Sequence, residues 1–174
     1  MARTFELHFS PGSFVPDGDA QLVAGDNPCG ITAHEGRPAL SYDDTDEEAA
    51  VSVETQMPNS YAAGTLKADI HFDTASDATN DVAFDVFVEA KTPGTDTLDM
   101  ESAASWDSAN SGTASVAGTT AGDPQVLTIT LTNKDSVAAG DLFRIGLRRD
   151  TDSANDDVSG DVYVREVVVY EETA

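Results

Sequence analysis

Val82-Ala83-Phe84-Asp85-Val86-Phe87-Val88-Glu89 places an apolar side chain at every second position. Successive side chains of an extended strand point to opposite faces, so a period of two is a strand's signature. The same alternation recurs along the chain. Val51, Val53, Thr55 and Met57 share one face, and so do Leu66, Ala68, Ile70 and Phe72. Leu127, Ile129 and Leu131 follow, then Phe143, Ile145 and Leu147, then Val162, Val164, Val168 and Tyr170 with Glu166 interrupting. A slip of one residue would turn any of these faces to water, which specifies register. Strands with one apolar face belong to antiparallel sheets, and two such sheets must bury those faces on each other. No stretch of useful length has a helical period.

Weaker segments extend the count to about eight to ten strands. Thr4–Phe9 alternates, Ala39–Tyr42 is short, and Leu98–Trp106 and Thr113–Val116 flank Asn110-Ser111-Gly112. Polar links such as Thr92-Pro93-Gly94-Thr95 read as turns. The predicted fold is all-β, an antiparallel β-sandwich of jelly-roll type over 39–174. Residues 1–38 are punctuated by Pro11, Gly12, Pro16, Gly18, Gly25, Pro28, Gly30, Gly36 and Pro38. They read as an irregular N-terminal arm or extended loop, lying on a neighbouring subunit.

Composition constrains the partners. Of the 174 residues, 32 are acidic and 9 are Lys or Arg, for a net charge of −23. Such a charge repels phosphate and anionic lipid, so no nucleic acid and no membrane surface is expected as a partner. No apolar run reaches the ~18 residues of a membrane span, and Met1–Glu6 lacks the apolar stretch of a signal peptide. Asp supplies 22 of the acids and Lys only 3 of the bases, a surface that resembles those of salt-adapted proteins. A single cysteine, Cys29, allows no intrachain disulfide.

Catalytic signals are sparse. His8, His34 and His71 have no nucleophile in a recognisable motif, and Cys29 has no identifiable base. The acidic loop holding Asp150, Asp152, Asp156, Asp157 and Asp161 contains the calcium candidates. It fails the EF-hand pattern, with Ala154 and Asn155 at the fifth and sixth positions and Asp161 at the twelfth. The acidic run at Asp43, Asp44, Asp46, Glu47 and Glu48 reads as a solvated hinge. Trp106 is the only tryptophan. Phe87, on the polar side of its strand, is the one aromatic expected on an exposed sheet face. No catalytic residue, cofactor or metal is expected, and the chain reads as a non-enzyme.

The stretch Ala139-Gly140-Asp141-Leu142-Phe143-Arg144-Ile145-Gly146-Leu147-Arg148-Arg149-Asp150 runs into an Asp/Asn-rich loop. Ser159-Gly160-Asp161-Val162-Tyr163-Val164 and a last apolar strand ending at Glu171 follow. Over residues 40–171 this pattern resembles jelly-roll modules of tailed-virus structural proteins. The resemblance implies a capsid decoration (cement) protein on the outer surface of the virion. It would form a homotrimer that binds the major capsid protein across neighbouring capsomers. The alternative it implies is a tail- or head-fibre module that binds host-surface glycans. An enzyme on the same scaffold would need two facing carboxylates. From the residues themselves, Arg148 and Arg149 are expected to pair with loop carboxylates and hold the loop in place.

Overall fold

The structure is a computed structural model and describes residues 2–18, 22–76, 80–96, 105–116 and 120–173. Among them are thirteen strands. The N-terminal half supplies β1 (Arg3–Phe9), β2 (Phe14–Pro16), β3 (Asn27–Pro28), β4 (Gly30–His34), β5 (Arg37–Tyr42), β6 (Glu48–Ser52) and β7 (Thr55–Gln56). Then follow β8 (Thr65–Thr74), β9 (Asp81–Lys91), β10 (Asn110–Ser115), β11 (Gln125–Thr130), β12 (Leu142–Arg149) and β13 (Val162–Glu172).

They form a jelly-roll β-sandwich. One sheet has the order β11-β8-β13-β5-β4, with β1 also on β13. The other has the order β10-β9-β12-β6-β2, with β3 on β6 and β7 on β12. Every pairing is antiparallel except β3 with β6. Between the sheets, Phe84 meets Tyr42 and Phe72 edge-on at 5.7 and 6.0 Å between ring centroids. Burying each large apolar side chain contributes about 1.5–3 kcal/mol, which makes this interior the main source of stability.

The division at residue 38 is not where the chain divides. Residues expected to form an arm supply strands to both sheets, and Phe9, Phe14 and Cys29 join the core. The Pro and Gly residues there shorten the strands rather than dissolve them.

Several readings of the strands need correction. On β13 the core takes Val162, Val164, Val167 and Val169, while Val168 and Tyr170 pair across the outer face. A bulge between Val164 and Glu166 inserts one residue and flips the phase beyond it. On β6, Ala50 and Ser52 face inward and Val53 is exposed. Ser52 Oγ accepts the Ile145 N–H at 2.9 Å, a backbone bond that valine cannot make. Asn110-Ser111-Gly112, expected to separate two pieces, lies within β10 and pairs with Val86–Phe84. Of the expected strand Leu98–Trp106, residues 98–104 lie outside the described residues, and 105–106 is not strand.

The last concerns β9. Asp85, Phe87 and Glu89, on its polar side, are buried, so Phe87 is no surface aromatic. A second layer covers this face. Leu22 lies so close over Gly146 that a Cβ there would sit 2.2 Å from its Cδ2. The Trp106 ring lies 4.7 Å from the Arg144 guanidinium, which pairs with Glu89. We call this the covered sheet. The sheet built on β8 and β13 is the open sheet.

Candidate functional site

The open sheet carries the sandwich's exposed polar face, and its two halves differ. Where β1 pairs with β13, every polar side chain has a partner. Asp69 accepts hydrogen bonds from Arg3 (2.6 Å), Thr128 (2.6 Å) and Tyr170 (3.2 Å). The Arg3 guanidinium stacks 3.6 Å from the Tyr170 ring centroid, and Lys67 pairs with Glu172 at 2.7 Å. His8 bonds Glu166 at 3.0 Å, and that carboxylate raises the pKa of its imidazole. This half is a closed network.

The other half begins at the β13 bulge. There β13 exchanges one edge neighbour for another: β5 pairs with Val162–Val164, and β1 takes over from Val167. Arg37–Ala39 therefore leave the edge of β13, and the β4–β5 hairpin stands away from the sheet. A two-residue turn at Glu35 and Gly36 closes the hairpin, both with positive φ (51° and 74°), as a type I′ turn requires.

The bulge aims Arg165 into the space beneath the hairpin. Its Nε and Nη2 grip Asp73 at 2.6 and 3.1 Å, and Nη1 donates to the carbonyls of His34 and Arg37. Nη2 also donates to His34 Nδ1 at 3.0 Å, which leaves the ring proton on Nε2. His34 in turn stacks on Tyr163, 3.8 Å between centroids and 13° from parallel. The hairpin is thereby fixed to the sheet by one guanidinium and one aromatic stack.

Between hairpin and sheet runs an open groove of about 400 Å³, within the size range of small-ligand sites. Pro38, Pro124 and the exposed Val126 give it apolar walls. His71, Gln125 and Arg37 line it, and none of their side chains hydrogen-bonds any described residue. A smaller cleft of about 230 Å³ opens at the edge of the covered sheet, lined by Val15, Pro16, Val51 and Arg144.

The calcium candidates do not converge. Asp156 takes two bonds from Arg149 and one from the Ala83 N–H. Asp157 accepts the Asp81 N–H at 2.7 Å. Asp161 accepts from Ser41 and, at 3.4 Å, from Tyr163. Asp150 stands 3.9 Å from Arg148, and Asp152 is exposed. Among the described residues, no three such side chains are grouped to hold a metal ion. The expected pairing of Arg148 and Arg149 is present, although Arg148 reaches Asp85 on β9 and Glu47 as well as the loop. The run 43–48 is likewise structural, with Asp44 accepting the Gly160 N–H and Glu48 the Asp43 N–H. Burial pushes the Cys29 thiol up to about 12, so it is no nucleophile at neutral pH.

Of the groove residues, only His71 was marked by the sequence, as a histidine on a polar strand face. Arg37, Gln125 and Arg165 were not singled out. The available signal was the turn dipeptide Glu35-Gly36 between two short exposed segments.

The sequence matches no family model and no curated protein. Solved structures of similar architecture include the K1 cleaved adhesin domain of Lys-gingipain from Porphyromonas gingivalis W83. It shares 14% identity at a TM-score of 0.48, over 97% of this chain and 99% of that one. The CBM22-2 xylan-binding domain from Paenibacillus barcinonensis Xyn10C shares 10% at 0.46, over 97% and 99%. The C-terminal CBM6 of a marine laminarinase from Zobellia galactanivorans shares 12% at 0.42, over 96% and 100%. These are adhesin and carbohydrate-binding domains and not capsid decoration proteins, which overturns the expected cement protein. The physical ground agrees: the segment assigned to lash subunits together is built into both sheets. Of the viral, trimeric, salt-adapted reading, the jelly-roll sandwich is what stands.

Proposed function

We propose that the protein is a non-catalytic carbohydrate-binding module that holds a saccharide in the groove across the open sheet. The observation that carries this reading is the convergence of unpartnered polar groups on one concave surface. His71, Gln125 and Arg37 face apolar walls at Pro38, Pro124 and Val126. Small-ligand sites combine apolar contact area with a few placed donors and acceptors. A sugar ring offers the complement, with apolar C–H faces and a rim of hydroxyls. Two of the structures compared above are named for carbohydrate binding, and the same ligand class is proposed here on the groove itself.

The groove suits holding better than cutting. Among the described residues, Asp73 is the one carboxylate in its lining, and Arg165 occupies both its oxygens. Glycoside hydrolysis by the common routes needs two carboxyl groups across the scissile bond, about 5–9.5 Å apart.

The test is calorimetric titration of the full chain with a panel of oligosaccharides. At least one ligand is expected to bind, and His71→Ala with Gln125→Ala should weaken it about tenfold or more without lowering Tm. The reading fails if no saccharide binds at millimolar concentration, or if a bound one ignores both substitutions.

A further inference from the structure

Resting on that reading, we infer that the saccharide is acidic, and that Arg37 receives its carboxylate or sulfate group. The argument starts from scarcity. Acids outnumber bases by 32 to 9, so a cation without an anionic or hydrogen-bonded partner is unexpected here. All nine bases are among the described residues, and eight are engaged. Arg3, Lys67, Arg144, Arg148, Arg149 and Arg165 each pair with a carboxylate. Lys91 bonds Ser105, and Lys134 bonds Tyr61 and the Gly64 carbonyl. Among the described residues, Arg37 alone of the nine has neither a side-chain hydrogen bond nor an ion pair.

Its position is the second observation. Arg37 ends the two-residue turn at the lip of the groove, and its own carbonyl is held by Arg165. The backbone that presents it is therefore fixed. Among the described residues, the lining carries two guanidiniums, Arg37 and Arg165, against the single carboxylate of Asp73, in a chain of net −23. Of the nearby acids, Glu166 bonds His8 and Asp123 accepts the Thr120 N–H of its own turn, while Glu35, exposed in the turn two residues before Arg37, forms no ion pair with it. The Debye length is about 8 Å at physiological salt, so these nearest groups and not the distant acids set the field a ligand meets. A planar guanidinium offers two parallel N–H donors that match a carboxylate or sulfate edge. His71 and Gln125, across the groove, then bind hydroxyls of the same residue or the next.

The experiment titrates the full chain with three oligosaccharides: an oligogalacturonate, which carries carboxylates; a sulfated galactan oligosaccharide; and neutral xylohexaose. One anionic ligand is expected to bind at least about tenfold more tightly than the neutral one, and which of the two binds identifies the group. Arg37→Ala should remove that advantage, Arg37→Lys should keep part of it, and added NaCl should weaken wild-type binding. Neutral binding as tight as anionic binding, or anionic binding indifferent to Arg37→Ala, overturns this inference and leaves the glycan reading standing. Silence from all three and from the wider panel overturns both.

Discussion

Arg149 and Asp156 form a two-point ion pair closed to solvent, with Nη2 2.8 Å from Oδ1 and Nε 3.1 Å from Oδ2. The remaining donors of the guanidinium reach the carbonyls of Asp43, Val158 and Gly160. One side chain thus joins the end of β12, the acidic loop after it and the turn after β5. Removing one member of a buried pair costs about 3–5 kcal/mol, because the other is left charged and unsolvated. Arg149→Ala should lower the urea-unfolding free energy by that amount. A loss under about 1 kcal/mol would show that the loop holds without it.

Gly112 should resist substitution for reasons of space. A Cβ there would lie 2.6 Å from Cγ1 of Ile129, a core side chain of β11. Gly112→Ala is expected to cost about 1–3 kcal/mol through overpacking. Combined with Ile129→Ala it should destabilise less than the two single changes added together, a coupling that a double-mutant cycle reads directly. Strict additivity would place the cost of Gly112→Ala elsewhere.

His8 gives a test by magnetic resonance. Its bond to Glu166 raises the imidazole pKa above 6.5, so the folded state holds this proton to higher pH than the unfolded chain does. The resulting stabilisation is fully present below 6.5 and is lost as pH rises through the folded value. Glu166→Gln should bring the His8 titration back towards 6.5. A midpoint unmoved by that change would mean the pair does not form in solution.

Asp26 shows the same direction of linkage from a different cause, burial in place of a charged partner. Neither carboxylate oxygen has a hydrogen-bond partner, and Arg148 Nη1 stands 3.7 Å away. Burial raises its pKa above 3.8, more than Arg148 lowers it. Folding therefore favours the protonated form, and ionisation works against the native state as pH rises through and above that value. The stability of Asp26→Asn relative to wild type should increase from pH 3 to pH 7. A difference independent of pH would show that Asp26 is solvated in the native protein.

Much of this architecture is written in side-chain periodicity, as β8, β11 and β12 illustrate: one face polar, one apolar, and the apolar one inward. Periodicity misleads where another constraint takes precedence. At β13 the adjacent polar residues Arg165 and Glu166 both point outward, and one inserted residue reverses the phase of every valine after them. At β6 a serine faces inward because its hydroxyl completes a backbone bond. On β9 both faces are buried, since distant segments fold back over the outer one, and a local pattern carries no information about such cover. The groove was hidden for a related reason. Its donors come from β5, β8 and β11, three segments whose adjacency depends on sheet order. The guanidinium that now stands out as unpaired is recognisable only after eight other partners have been assigned.

The hairpin of β4 and β5 is an outer edge, and Gly30–Ala33 are exposed, adding nothing to the core. Only one wall of the groove is therefore separable from the fold, since His71 and Gln125 stand on β8 and β11 of the sandwich. Residues 31–37 can be randomised, lengthened or grafted while the sandwich beneath them persists, provided Arg165 still finds two carbonyls to hold. Under the proposed function, selection acting on that short segment reshapes one wall of the groove while the sandwich and its His71 and Gln125 stay unchanged.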